Sequence, residues 1–145
     1  EAGIDLTQEA EPTAESRVLF DPTRTDRWGR PLAILEASPS AVDRRTATRI
    51  AALDAELCPL LLGTAERSAP SSVTWFHPAG GCRMGNDPEG AVVDRRGRVF
   101  GLENLYVAGA ATFPTSGATN PTLTVVALAL RLAEHLFASL GGDGI

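Results

Sequence analysis

Phe76–Gly85 reads FHPAGGCRMG, and Leu105–Thr124 reads LYVAGAATFPTSGATNPTLT; the reading of these two stretches decides the fold. His77 sits in a glycine-flanked loop, and about forty residues on, Asn120-Pro121-Thr122 opens a long apolar run. That run, Pro121–Leu140, predicts a helix with proline at its first position, Asn120 or Thr119 as N-cap, and Gly141 beyond its end. Ahead of it, Leu105–Val107 predicts a short buried strand entering the run Gly109, Ala110 and Ala111. Residues with almost no side chain let a backbone or a ligand approach closely. Between the two stretches, Val92-Val93 and Val99-Phe100 flank DRRGR, the pattern of a hairpin with Gly97 in its turn. Arg95, Arg96 and Arg98 there are read as a solvated turn in preference to a phosphate site.

Working outward toward the N-terminus, Val73–Phe76 is strand-like and follows a polar linker, Thr64–Ser72. A helix is expected from a cap at Ser38 or Ser40 to about Leu62, with Val42, Ile50, Leu53 and Leu57 near helical spacing and Gly63 ending it. Arg17–Asp21 and Leu32–Glu36 read as two strands around the turn-rich PTRTDRWGRP. Glu1 to Ser16 is acidic and short of large apolar residues, which suggests a solvated tail or a segment lying on a partner.

Composition sets looser limits. A chain of 145 residues is long enough for one domain with its own core. Its net charge of −5 argues against a nucleic-acid binder, whose domains are usually basic. All 13 basic residues are arginine, so Schiff-base chemistry has no lysine to use within this chain. No stretch is expected to approach the ~20 apolar residues of a membrane span. Cys58 and Cys82 form no disulfide framework and no C-x-x-C pair; both are read as packing residues. Two distant histidines without clustered ligands argue against a metal site.

The two stretches together resemble the C-terminal segment of the glucose-methanol-choline (GMC) family of FAD-dependent oxidoreductases. The family pattern H-x-x-G-x-x-x-M-G falls on His77, Gly80, Met84 and Gly85, and the family's second active-site position, His or Asn, falls on Asn120. Asp26, Gly29 and Pro31 match the D-x-x-G-x-P turn of the family's substrate-domain hairpin. The resemblance implies an α/β (α+β) fold. Residues 17–76 would belong to a substrate-binding domain, and residues 77–145 would form the C-terminal part of an FAD domain. It also implies FAD as cofactor, with Gly109, Ala110, Asn120, Pro121 and Thr122 lining it, and an alcohol or sugar as substrate. The motif pair looks most like the pyranose oxidase and sugar dehydrogenase branch, with a choline- or sterol-type alcohol as runner-up.

No G-x-G-x-x-G turn after a first strand occurs, and Gly80–Gly85 mimics a phosphate loop only until Asn86, where that loop needs Lys. A longer partner chain is therefore expected to carry the dinucleotide cradle. The first residue is Glu1 and the sole methionine is Met84, so a processed product of a longer precursor is the favoured origin.

Alcohol oxidation gives these residues their roles. Hydride leaves carbon easily only if the hydroxyl proton leaves too, which calls for a base near pKa 6–7 within ~3 Å of that oxygen. His77 is that candidate; His135, near the end of the last helix, is given a structural role. Asn120 has two candidate roles, a hydrogen bond to the substrate oxygen and the helix N-cap. A non-catalytic binding or regulatory subunit that kept the segment is the competing class, and the presence of both His77 and Asn120 speaks against it.

Overall fold

The computed structural model describes residues 6–62 and 76–141. Gly63, the linker Thr64–Ser72 and most of the strand expected at Val73–Phe76 lie outside the described residues. Strands β1 (Arg17–Thr25) and β2 (Pro31–Glu36) form an antiparallel hairpin, followed by helices α1 (Ala41–Leu62) and α2 (Thr122–Ser139), with a 3₁₀ turn at Ala110–Thr112 ahead of α2. The mixture of strand and helix agrees with the α/β (α+β) expectation.

The hairpin starts in simple register, Arg17 opposite Glu36 and Phe20 opposite Ala33, and then skips to Thr25 opposite Pro31. Asp21 causes the skip. Its Oδ1 accepts from the Thr23 and Arg24 backbone N–H groups at 2.8 and 3.0 Å, and Oδ2 accepts from Arg24 Nε at 2.6 Å. The Arg24 guanidinium, then these N–H groups, hold the Asp21 carboxyl well below the usual carboxylate range. β1 thus continues to Thr25, past the expected end at Asp21, and the turn shrinks to Asp26–Arg30, where Gly29 N–H donates to Asp26 O at 3.0 Å.

Helix α1 starts as a capping box. Ser40 Oγ accepts from Asp43 N–H at 3.0 Å, while Asp43 Oδ2 accepts from Ser40 N–H at 2.7 Å. Asp43 Oδ1 also accepts from Glu11 N–H at 2.9 Å, so one carboxylate joins the helix start to the N-terminal segment. The Glu11 N–H is the chief reason the Asp43 carboxyl is held below its ordinary value; the Ser40 bonds and the Arg44 charge add to it, and burial opposes it. A depressed folded-state value means that this stabilisation is complete above the unfolded carboxylate range near pH ~4 and is lost as pH falls below it. Asp43→Asn is therefore expected to melt at a lower temperature at neutral pH and to lose less on acidification than the wild type, as a pH series of melting curves will report.

The downstream half is built from short segments. Met84 bridges Val93, Val93 bridges Val99, and Arg98 bridges Tyr106, so the expected DRRGR hairpin forms with Gly97 in its turn. Val93 lies fully buried at the centre of these crossings. Gly97 has φ +81, and a Cβ there would stand 2.7 Å from Val107 O, whose own N–H donates to Gly97 O at 2.8 Å. Gly97→Ala combines a left-handed penalty with a backbone clash and is expected to destabilise by roughly 2–4 kcal/mol, measurable as a lowered melting temperature. The expected buried strand Leu105–Val107 is reduced to the bridge at Tyr106, and Leu105 is exposed, because only one ladder partner reaches it.

Very little apolar surface is covered. Val93 and Phe113 are the buried hydrophobic residues among those described. The two strands pack on each other, whereas neither α1 nor α2 has an extensive element-to-element partner within the described residues. Leu60 in α1 is 79% exposed, and Leu123 and Leu130 in α2 are 82% and 60% exposed. Contrary to the sequence expectation, α2 reaches the length and apolar content of a membrane span, with mean hydropathy 1.3 over 18 residues. Its only charges, Arg131 and Glu134, lie in its second half, which leaves the first half uncharged, with Thr122 and Thr124 its polar residues.

Candidate active-site loop and helix start

The glycine-rich loop is pinned to the 3₁₀ turn by three consecutive bonds. Gly80, Cys82 and Met84 N–H groups donate to the Ala110, Ala111 and Thr112 carbonyls at 3.0, 2.9 and 2.8 Å. The two stretches singled out in the sequence are therefore joined backbone to backbone. Gly109, which opens the 3₁₀ turn, has φ +98 and ψ −174, a conformation essentially restricted to glycine. Open space lies where its Cβ would be. Thr112 is buried and closes the turn by donating from Oγ1 to Gly109 O at 2.9 Å.

His77 lies at the outer end of this loop. It is the one non-glycine with a left-handed backbone among the described residues, at φ +56. Such a conformation costs roughly 1–2 kcal/mol and is characteristically kept where a side chain must be aimed. The ring is exposed, stands 6.4 Å from that of Phe76, and takes part in no hydrogen bond among the described residues. His135, by contrast, packs edge-on to Tyr106 at 6.2 Å, which fits the structural role expected for it. Cys82 is half-buried, as is Cys58, whose thiol donates to Asp54 Oδ1 at 3.1 Å.

Asn120 is exposed at the end of the loop Pro114–Asn120. The structure corrects its expected capping role. α2 begins at Thr122, one residue later than expected, with Pro121 in the N-cap position at φ −85 and ψ −4 and no side-chain capping bond. The Pro121 carbonyl accepts the first intrahelical bond, so Pro121 and neither Asn120 nor Thr119 stands at the cap. The first acceptor inside the helix is Pro121 O, for Val125 N–H at 2.9 Å. The N–H groups of Thr122, Leu123 and Thr124 have no acceptor among the described residues, so the positive end of α2 is open. A cleft of about 320 Å³ lies along one face of its first two turns, lined by Met84, Phe113, Ser116, Pro121, Thr124 and Leu128 among others. The structure thus brings Gly109 and Ala110 to the motif loop and sets Asn120, Pro121 and Thr122 at one helix end. No hydrogen bond links the side chains of His77 and Asn120.

Two features escaped the sequence reading. The left-handed backbone of His77 has no local signal beyond the glycines that follow it. The acidic N-terminal segment is tied to the chain itself: Ser116 N–H donates to Glu9 Oε1 at 3.0 Å across 107 positions.

Comparison with known proteins identifies this arrangement. Residues 12–129 match the family model described as GMC oxidoreductase. The chain is 35% identical over 138 residues to 6'''-hydroxyparomomycin C oxidase of Streptomyces lividus, covering 91% of this chain and 24% of that protein. It is 33% identical over 135 residues to paromamine 6'-oxidase of Streptomyces fradiae, covering 89% and 24%. It is 29% identical over 140 residues to the fructose dehydrogenase large subunit of Gluconobacter japonicus, covering 95% and 26%. The chain spans about a quarter of the length of these relatives.

Proposed function

Because the chain belongs to the GMC oxidoreductase family, whose members are generally flavoproteins, we propose that it forms the C-terminal part of an FAD-dependent oxidoreductase acting on an alcohol or sugar hydroxyl. On this reading a longer partner chain, or a further stretch of the same polypeptide, supplies the dinucleotide cradle. The exposed leucines of α1 and α2 support an incomplete domain, since faces of this kind are normally covered. The relatives named for oxidation of aminoglycosides and fructose favour a sugar-type hydroxyl as substrate.

The open start of α2 carries the reading. Three N–H donors with no acceptor among the described residues, together with the positive helix end, suit an acceptor oxygen or developing negative charge beyond Pro121. Open space beside the Gly109 backbone suits the close approach of a bulky group. Gly109, Ala110, Pro121 and Thr122 would hold the cofactor through their backbones. FAD, when bound, supplies the acceptor for the hydride that leaves the carbinol carbon. His77 takes the hydroxyl proton on a ring nitrogen, its aim fixed by the left-handed backbone. The Asn120 amide, not engaged as a cap, donates a hydrogen bond to the substrate oxygen as its charge grows.

The test is the flavin spectrum of the natively purified assembly before and after a panel of sugars and primary alcohols under anaerobic conditions. The expected result is a flavin band that bleaches with a sugar-type substrate. An assembly without flavin, or a flavin that no hydroxyl compound bleaches, would overturn the reading.

A further inference from the structure

We propose that Glu9 is a positioning residue for the active site, holding the loop that carries Asn120 through its bond to Ser116. The inference rests on the function proposed above and names a residue outside both motif stretches.

Loop Pro114–Asn120 starts at the buried anchor Phe113 and ends at the open start of α2. Between these points the loop's backbone and side chains make one hydrogen bond with the rest of the described chain, from Ser116 N–H to Glu9 Oε1 at 3.0 Å. Gly117, the next residue, has φ +70, a left-handed backbone that favours glycine. A carboxylate accepting an N–H gives a shorter and stronger bond than a neutral acceptor. Without it, the whole loop would hang between one apolar anchor and a helix start that lacks a cap.

Glu9 is itself restrained. Two residues on, Glu11 N–H donates to Asp43 Oδ1 at 2.9 Å, which anchors the segment to the start of α1. One residue before, Gln8 Oε1 is buried, so the segment is pressed onto the body of the chain. The line from α1 through Glu11 and Glu9 to Ser116 forms a strap across the loop. Ser116 lies four positions from Asn120 and lines the cleft beside the first turns of α2. A loop released there leaves the Asn120 amide spread over several orientations, and displacements of ~1 Å at a reacting centre can cost 10²-fold in rate.

The experiment uses the complete flavin-loaded enzyme and compares wild type, Glu9→Ala, Glu9→Gln, Asn120→Ala, His77→Ala and the double variant Glu9→Ala/Asn120→Ala. Rapid-mixing flavin reduction gives the limiting rate and apparent substrate affinity, and melting curves are recorded alongside. Glu9→Ala is expected to lower the limiting rate by about 10- to 100-fold with little change in apparent affinity. Glu9→Gln, which keeps an oxygen for the Ser116 N–H, is expected to restore most of that loss. The double variant is expected to be little slower than Asn120→Ala, because residues acting through one group are not additive. A Glu9→Ala enzyme of wild-type rate beside a slow His77→Ala overturns this inference alone. So does a loss that Glu9→Gln does not restore and that adds in full to that of Asn120→Ala. If neither His77→Ala nor Asn120→Ala slows reduction, the proposed function fails and takes this inference with it.

Discussion

His77→Ala in the flavin-loaded enzyme is expected to slow substrate-driven flavin reduction by about 10²–10⁴-fold, the usual worth of a positioned general base. Bound flavin should stay near the wild-type amount, because the proposed work of the ring lies with the substrate proton. The left-handed backbone at position 77 calls for a second variant. Asn is among the residues that tolerate such a φ, so His77→Asn removes the base with the least disturbance of the loop. Both variants should be comparably slow. A fast His77→Asn beside a slow His77→Ala would assign the loss to the backbone. Wild-type rates in both would send the search for the base elsewhere.

Asn120→Asp is the second large expected effect, and it should exceed that of Asn120→Ala. Removing a hydrogen-bond donor to a developing oxyanion typically costs about 10²–10³-fold, which is the expectation for Asn120→Ala. A carboxylate in the same place adds repulsion of the forming alkoxide, so the Asn120→Asp enzyme should be slower still. Stability separates this from a capping role. α2 has no side-chain cap, so both variants should melt close to the wild type. A cap would give the reverse pattern, with Asp tolerated and Ala costing about 1 kcal/mol. Rates and melting temperatures measured on the same two variants decide between them.

The elements that sequence reading located best are those made by neighbours. Ser40 and Asp43, three apart, form the capping box that starts α1, and Asp26 with Gly29 makes the hairpin turn. Gly97 turns the chain between Val93 and Val99. The match of His77, Gly80, Met84, Gly85 and Asn120 to one family pattern also needs only the order of residues. Boundaries were less legible. β1 outran its apolar run because the Asp21 side chain reshapes the strand locally, and α2 starts at Thr122 because the Pro121 carbonyl takes the first intrahelical bond from Val125.

What the sequence determined by itself was therefore local: turns, the start of α1 and the residue types of the proposed site. Their physical cause acts over three or four positions, within reach of one side chain and one turn of backbone. Tertiary structure alone decided the rest. It joined the motif loop to the 3₁₀ turn through Gly80, Cys82 and Met84, left the donors of α2 open, and brought Glu9 to Ser116 across 107 positions. Such contacts depend on how the intervening chain closes its loops, and loop closure leaves no periodicity or spacing in the residues that finally meet.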